Sequence, residues 1–185
     1  MLWCIWCGSV CAYDRIFTWL PSRLVEKGYP IVKSFEYSLI LILAQLPGYV
    51  AAAWLIEKLG RKTTLSLFMA ACAVCAYFFG GAGSETEIIV WGCLLSFFNL
   101  GAWGVLYTYT PEQYPTNIRA FGSGWALVVG CIGGSIAPLV VTNMMVMPNG
   151  FGNVFMMFPV VLFAVAAVVF VLGEETKGKT LESSC

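Results

Sequence analysis

Asn99, Trp103 and Tyr107 recur at i, i+4 and i+8 within an apolar stretch. On a helix this spacing puts all three on one face. Trp and Tyr offer flat stacking surfaces with one polar tip, and Asn adds directional hydrogen bonds. Such a face suits a small aromatic or polyhydroxyl solute. An aromatic belt at a membrane–water interface, with one Asn joining helices, would use the same residue types. The mid-stretch positions of Asn99 and Trp103 argue against a belt for those two. For Tyr107 and Tyr109, nearer the end, both accounts stand. Gln45 suits a cavity and helix–helix glue equally.

The run Tyr13-Asp14-Arg15 places two charges inside another apolar stretch. Adjacent residues point about 100° apart on a helix, so an internal ion pair is not assured. As intramembrane charges they are functional candidates: Asp14 as a proton-coupling carboxylate, Arg15 as an anion ligand. Tyr13 joins the solute-facing set.

These residues need elements to hold them, and the composition says which. The chain has 185 residues, 59% hydrophobic and 11% charged, with a mean hydropathy of +0.82. Soluble domains carry about 45–50% apolar and roughly 25% charged residues. A water-soluble fold of this size could not hide so much apolar surface and keep a polar shell. Net charge is zero and no basic run exists, which excludes nucleic-acid binding. Histidine is absent, removing imidazole bases, His–metal sites and His proton relays. With no G-x-S-x-G elbow and no clustered carboxylate pair, an enzyme is not expected. Cys4-x-x-Cys7 and Cys72-x-x-Cys75 lie in apolar stretches rather than knuckle-like loops, so they read as small hydrophobes. No metal or cofactor is expected.

Six segments reach or approach the ~20 residues that cross a bilayer: 3–20, 35–56, 63–80, 88–109, 121–147 and 151–172. Lipid offers no partner for backbone groups, so each should be helical, and the runs are too continuous for a β-barrel. The expectation is an all-α membrane protein: one six-helix transmembrane bundle over 1–185, with 173–185 as a cytoplasmic tail. The first segment lacks a basic n-region and an A-x-A-like site, so it reads as a span rather than a signal peptide. Lys58, Arg61, Lys62, Arg119, Lys177 and Lys179 fall on one face, against Arg23, Lys27 and Lys33 on the other. That asymmetry makes both termini of the segment cytoplasmic. The fifth span, rich in glycine with Pro138, reads as a close-packing element.

Three polar motifs fall on the Lys/Arg-rich face. Glu57-Lys58-Leu59-Gly60-Arg61-Lys62 joins spans two and three, and Gly60 permits the tight reversal. Glu57, near a helix C-terminus, wants a cationic partner such as Arg61 or Lys62. Pro111-Glu112-Gln113-Tyr114-Pro115-Thr116-Asn117-Ile118-Arg119 joins spans four and five. Its prolines should stop the helix and stiffen the loop, while Glu112 and Arg119 pair with each other or with Arg61. Glu174-Glu175-Thr176-Lys177-Gly178 comes after the last span.

Together the motifs resemble the major facilitator superfamily, particularly its sugar-porter and metabolite–proton symporter branches. The first is similar to the family's acidic–basic–x–Gly–Arg–basic loop and the second to its Pro-Glu-x-x-Pro-Thr-x-x-Arg run. The third is similar to its Pro-Glu-Thr-Lys-Gly tail, with Glu174 where the family has proline. The stretches 17–21, 45–49 and 96–104 are similar to bacterial transporters assigned to niacin or nicotinamide. The resemblance implies helices seven to twelve of a twelve-helix transporter, with spans one and four lining the cavity. It also implies a cytoplasmic latch built from Glu57, Arg61, Glu112 and Arg119. Similar proteins have other residues at Asp14 and Arg15, and often arginine at Cys131. The function implied is secondary active, proton-coupled transport of a small organic solute (carboxylate, aromatic or sugar-like) by alternating access in a bacterial plasma membrane. Its partners would be the lipid bilayer and an N-terminal six-helix half, in the same longer chain or a second one. The alternative is a non-transporting scaffold or dimerising six-helix subunit.

Overall fold

The computed structural model describes residues 1–11, 31–146 and 150–177, and among these every element is helical. The helices are α1 (Leu2–Cys11), α2 (Ile31–Leu43), α3 (Gln45–Leu59), α4 (Arg61–Gly81), α5 (Glu85–Glu112), α6 (Arg119–Met145) and α7 (Gly150–Leu172). Tyr13, Asp14, Arg15, Arg23, Lys27 and Lys179 lie outside the described residues, as do 178–185 of the tail.

Local sequence explains where the helices bend and stop. The expected second span divides at Ala44 into α2 and α3. Pro47 is the cause, because it has no N–H for the carbonyl of Leu43 and its ring crowds that carbonyl. Gly60 joins α3 to α4 at φ +91°, ψ 169°, a conformation open essentially to glycine alone. Ser84 starts α5 with a capping box: its hydroxyl accepts the Glu87 N–H and the Glu87 carboxylate accepts the Ser84 N–H.

One expectation needs correction. Pro111 does not stop the helix; α5 runs through it to Glu112. In a last turn proline forfeits a single backbone bond, and the end is closed by tight turns from Gln113 N to Thr110 O and Tyr114 N to Pro111 O. Pro115 then leads through a short 3₁₀ turn (Thr116–Ile118) into α6.

The segments Phe35–Leu59, Arg61–Gly81, Glu85–Glu112 and Thr116–Met144 are long and apolar enough to cross a membrane. Shorter apolar helices cover Leu2–Cys11 and Met156–Leu172. At 1.5 Å per residue the 28-residue α5 is about 42 Å long. Large apolar side chains cover the outside: Val50, Phe121, Leu139, Val160 and Val171 are all more than three-fifths exposed. Helices apolar on every side have lipid around them. The chain is a multi-pass membrane protein.

The core centres on α4, which packs against α5 and α7 and more lightly against α3. Leu65, Met69, Cys72 and Ala73 of α4, Leu95 and Leu106 of α5, and Leu162 and Val169 of α7 are wholly enclosed. Small residues set the closest approaches. A Cβ at Gly101 of α5 would sit 3.0 Å from the Gly48 carbonyl of α3 and overlap the Phe68 ring. On α6, Gly130 and Gly133 lie against Trp6 and Cys7 of α1, while Gly124 faces open space. Only part of the glycine pattern of α6 is therefore used for packing within this chain.

Candidate functional site

Asn99 stands at the midpoint of α5 and is 3% exposed. Its Nδ2 is enclosed with no hydrogen-bond partner among the described residues. One turn earlier, the Ser96 hydroxyl is equally buried and has no partner among the described residues. One and two turns later come Trp103, half-buried, and Tyr107, 53% exposed. The stripe thus runs from a buried polar floor at mid-helix to an aromatic edge roughly 12 Å further along the helix.

Trp6 of α1 completes the aromatic part. Its indole meets Trp103 edge-on at 5.6 Å and Tyr107 edge-on at 5.2 Å, while Trp103 and Tyr107 lie 5.7 Å apart. Edge-to-face contacts are the preferred geometry of ring quadrupoles. Trp6 is locked in place because Nε1 donates to Thr110 Oγ1 at 2.9 Å, and that hydroxyl donates in turn to the Leu106 carbonyl. On α1, Ser9 is another buried hydroxyl without a partner among the described residues. Gln45 is buried at the start of α3.

The second cluster gathers at the end of the bundle where α3 meets α4, α5 ends and the tail begins. Arg61 Nε lies 3.1 Å from Glu112 Oε2 and 3.2 Å from Oε1. The Thr176 hydroxyl also donates to Glu112. Glu175 Oε1 accepts three backbone N–H groups, from Arg61 at 2.8 Å, Thr176 at 3.1 Å and Lys177 at 3.2 Å. Lys177 Nζ donates to the Lys58 carbonyl at 2.6 Å. Tyr109 Oη and Gln113 Nε2 both donate to the Glu174 carbonyl. A cavity of about 290 Å³ opens beside this cluster, lined by Met1, Leu2, Trp3, Gln113 and Tyr114. It does not reach the Asn99 stripe.

With both clusters in view, comparison with known proteins decides the kinship. Residues 3–184 match the family described as sugar (and other) transporter. The chain belongs to this family of the major facilitator superfamily. The niacin transporter NiaP of Acinetobacter baylyi is 69% identical over 99% of the chain, which covers 42% of that protein. The putative niacin/nicotinamide transporter NiaP of Bacillus subtilis is 49% identical over 98% of the chain, covering 46% of its length. The inner membrane metabolite transport protein YdjE of Escherichia coli is 29% identical over 90% of the chain, covering 37%. The chain therefore spans less than half the length of these curated relatives.

Within this facilitator-family bundle the residues singled out from sequence separate into groups. Asn99, Trp103 and Tyr107 share a face, and Trp6 on α1 lies across from the last two. Arg61 and Glu112 meet. Arg119 does not reach them; its guanidinium lies 3.4 Å from Thr116 Oγ1, a contact within its own short turn. Glu57 is exposed on α3. Tyr13, Asp14 and Arg15 lie outside the described residues. Sequence reasoning missed Trp6, Ser96 and Thr110, and it did not place Glu175, Thr176 or Lys177 in the charged cluster. Trp6 carried a readable signal, being a bulky polar-tipped ring in a span expected to line a cavity.

Proposed function

We propose that this chain is the C-terminal six-helix half of a secondary transporter for a small aromatic carboxylate of the niacin type. The observation that carries the reading is the Asn99 amide: a buried donor at mid-membrane with no protein partner among the described residues, one turn from the Trp6–Trp103–Tyr107 rings. A donor left unpaired in a low-dielectric interior costs about 1–3 kcal/mol. A solute that accepts its hydrogen bond removes that cost, and a flat ring fits the aromatic edge. The 69% identity to a niacin transporter supports the same solute class.

Transport proceeds by alternating access, with a six-helix N-terminal half, in one longer chain or a second one, supplying the facing wall. The Lys/Arg-rich end faces the cytoplasm, both termini of the segment are cytoplasmic, and the membrane is the plasma membrane. Arg61 and Glu112 form the core of a cytoplasmic latch, with Glu57 and Arg119 at its margin; the tail residues Glu175 and Thr176 tighten it. Gln45 and Tyr13 belong to the solute-binding wall. Asp14 carries the proton and Arg15 the solute's charge.

Uptake of labelled nicotinate into vesicles tests the reading. Vesicles holding the chain joined to the missing half should accumulate label, and Asn99→Ala and Trp103→Ala should each weaken apparent affinity roughly tenfold, the scale of one lost hydrogen bond or ring contact. Unchanged affinity in both variants removes the stripe from the site. Accumulation by this chain alone overturns the half-transporter assignment.

A further inference from the structure

On the outer face of the bundle a furrow of about 410 Å³ runs between α4 and α7. The α4 side consists of Thr63, Ser66, Leu67 and Ala70, and the α7 side of Phe163, Ala166, Ala167 and Phe170. Both sets have the same i, i+3, i+4, i+7 spacing, so two straight helical stripes face each other. Ser66 and Ala166 are buried and form the floor, whereas Leu67, Phe163 and Phe170 stand about half exposed or more as walls. Seven residues of helix make the furrow about 10 Å long, directed from the charged end into the apolar belt.

At the mouth stands Lys62. It is one turn before Ser66, whose hydroxyl donates to the Lys62 carbonyl at 3.0 Å, and its ammonium lies 5.7 Å from the Phe170 ring centroid. Among the described residues Lys62 has no carboxylate partner. Its neighbours differ: Arg61 is held by Glu112, and Lys177 donates to the Lys58 carbonyl. An apolar channel on a membrane-facing surface, closed at its polar end by a cation with no carboxylate partner among the described residues, is complementary to one kind of molecule.

We propose that the α4–α7 furrow is a binding site for an anionic phospholipid, with an acyl chain between Leu67, Phe163 and Phe170 and the phosphate on Lys62 and the exposed Thr63 hydroxyl. Lipid tails are as apolar as the furrow walls, so the chain gains shape-matched contact rather than hydrophobic transfer. Selectivity for charge comes from Lys62, and a basic residue at a membrane surface is worth about a fivefold preference for an anionic headgroup. The site lies on the opposite side of α4 from the residues that face Glu112 and does not depend on the solute assigned above.

Native mass spectrometry of the full chain in mild detergent, with phosphatidylglycerol or phosphatidylcholine of identical acyl chains, tests this. The protein should retain phosphatidylglycerol in preference. Lys62→Gln should lower that retention about fivefold, to the phosphatidylcholine level. Ala167→Phe, at an exposed position in the furrow wall, should lower retention of both lipids by filling the furrow. Lys58→Gln, whose ammonium sits instead 3.9 Å above the Trp54 ring of α3, should change nothing. Equal retention of the two lipids overturns the proposal. So does a Lys58→Gln loss as large as that of Lys62→Gln, or full retention after Ala167→Phe.

Discussion

Glu175 closes over the reversal at Gly60, its Oε1 accepting the Arg61 N–H at 2.8 Å. Two residues later Lys177 donates to the Lys58 carbonyl. The tail thus places an anion at the N-terminus of α4 and a cation at the C-terminus of α3, the ends where the helix dipoles favour them. A single glycine lies between. The tail is therefore a clasp on the α3–α4 hairpin as well as a partner of Glu112.

Gly60→Ala should break that clasp. The φ of +91° is closed to side chains, and a new Cβ would lie 2.5 Å from the Glu175 carboxyl carbon. Backbone strain of this kind costs about 1–3 kcal/mol. The melting temperature of the detergent-solubilised protein should fall, and proteolysis after Lys177 should accelerate. If both stay unchanged, the clasp contributes nothing to stability.

Arg61 and Glu112 are each less than a third exposed, at 26% and 19%, and Glu112 also accepts from Thr176. A double-mutant cycle with Arg61→Gln and Glu112→Gln should give a coupling of about 1 kcal/mol, above a typical surface pair and within the range of networks. Arg119→Gln should show no measurable coupling to Glu112, because Arg119 contacts Thr116 instead. Thermal unfolding of the variants measures both. A coupling of Arg119 to Glu112 equal to that of Arg61 would contradict the geometry.

Gly60 shows how far sequence reasoning reaches. Glycine between an amphipathic end and a basic start implies a reversal, and its backbone takes a glycine-only conformation. The break at Ala44 was missed, because 35–56 read as one continuous span, although Pro47 carries the local signal in having no N–H to offer the Leu43 carbonyl. Other features have no local signal. Whether Glu112 takes Arg61 or Arg119 depends on how α4 and α5 pack, and both options are consistent with the motif. The tail reads as an ordinary charged end because its partners are 61–119 residues away along the chain. Pro111 misled because its rule holds for helix interiors, whereas it stands in a last turn.

Trp6 tests whether the aromatic group is a structural unit. Trp6→Phe keeps a ring against Trp103 and Tyr107 but removes the donor to Thr110, a loss of about 1 kcal/mol. Trp6→Ala removes the ring and leaves a cavity in the core between α1 and α5, a loss of about 3–5 kcal/mol. Unfolding in detergent should rank them in that order. Near-equal effects would mean that the hydrogen bond, not the ring packing, holds α1 in place.

Asn99 separates a solute-binding role from a structural one. A buried amide that glues helices together loses stability when it is replaced by an apolar isostere. The Nδ2 of Asn99 has no protein partner among the described residues, so Asn99→Leu removes an uncompensated donor while keeping the branched shape. Stability should hold or rise, since deleting an unpaired polar group spares its desolvation cost of about 1–3 kcal/mol. Affinity for nicotinate should fall roughly tenfold in the complete transporter, the scale of one lost hydrogen bond to a charged group. The two measurements move in opposite directions only if the amide is held in reserve for a ligand. A variant that melts earlier and binds nicotinate unchanged would make Asn99 a packing residue.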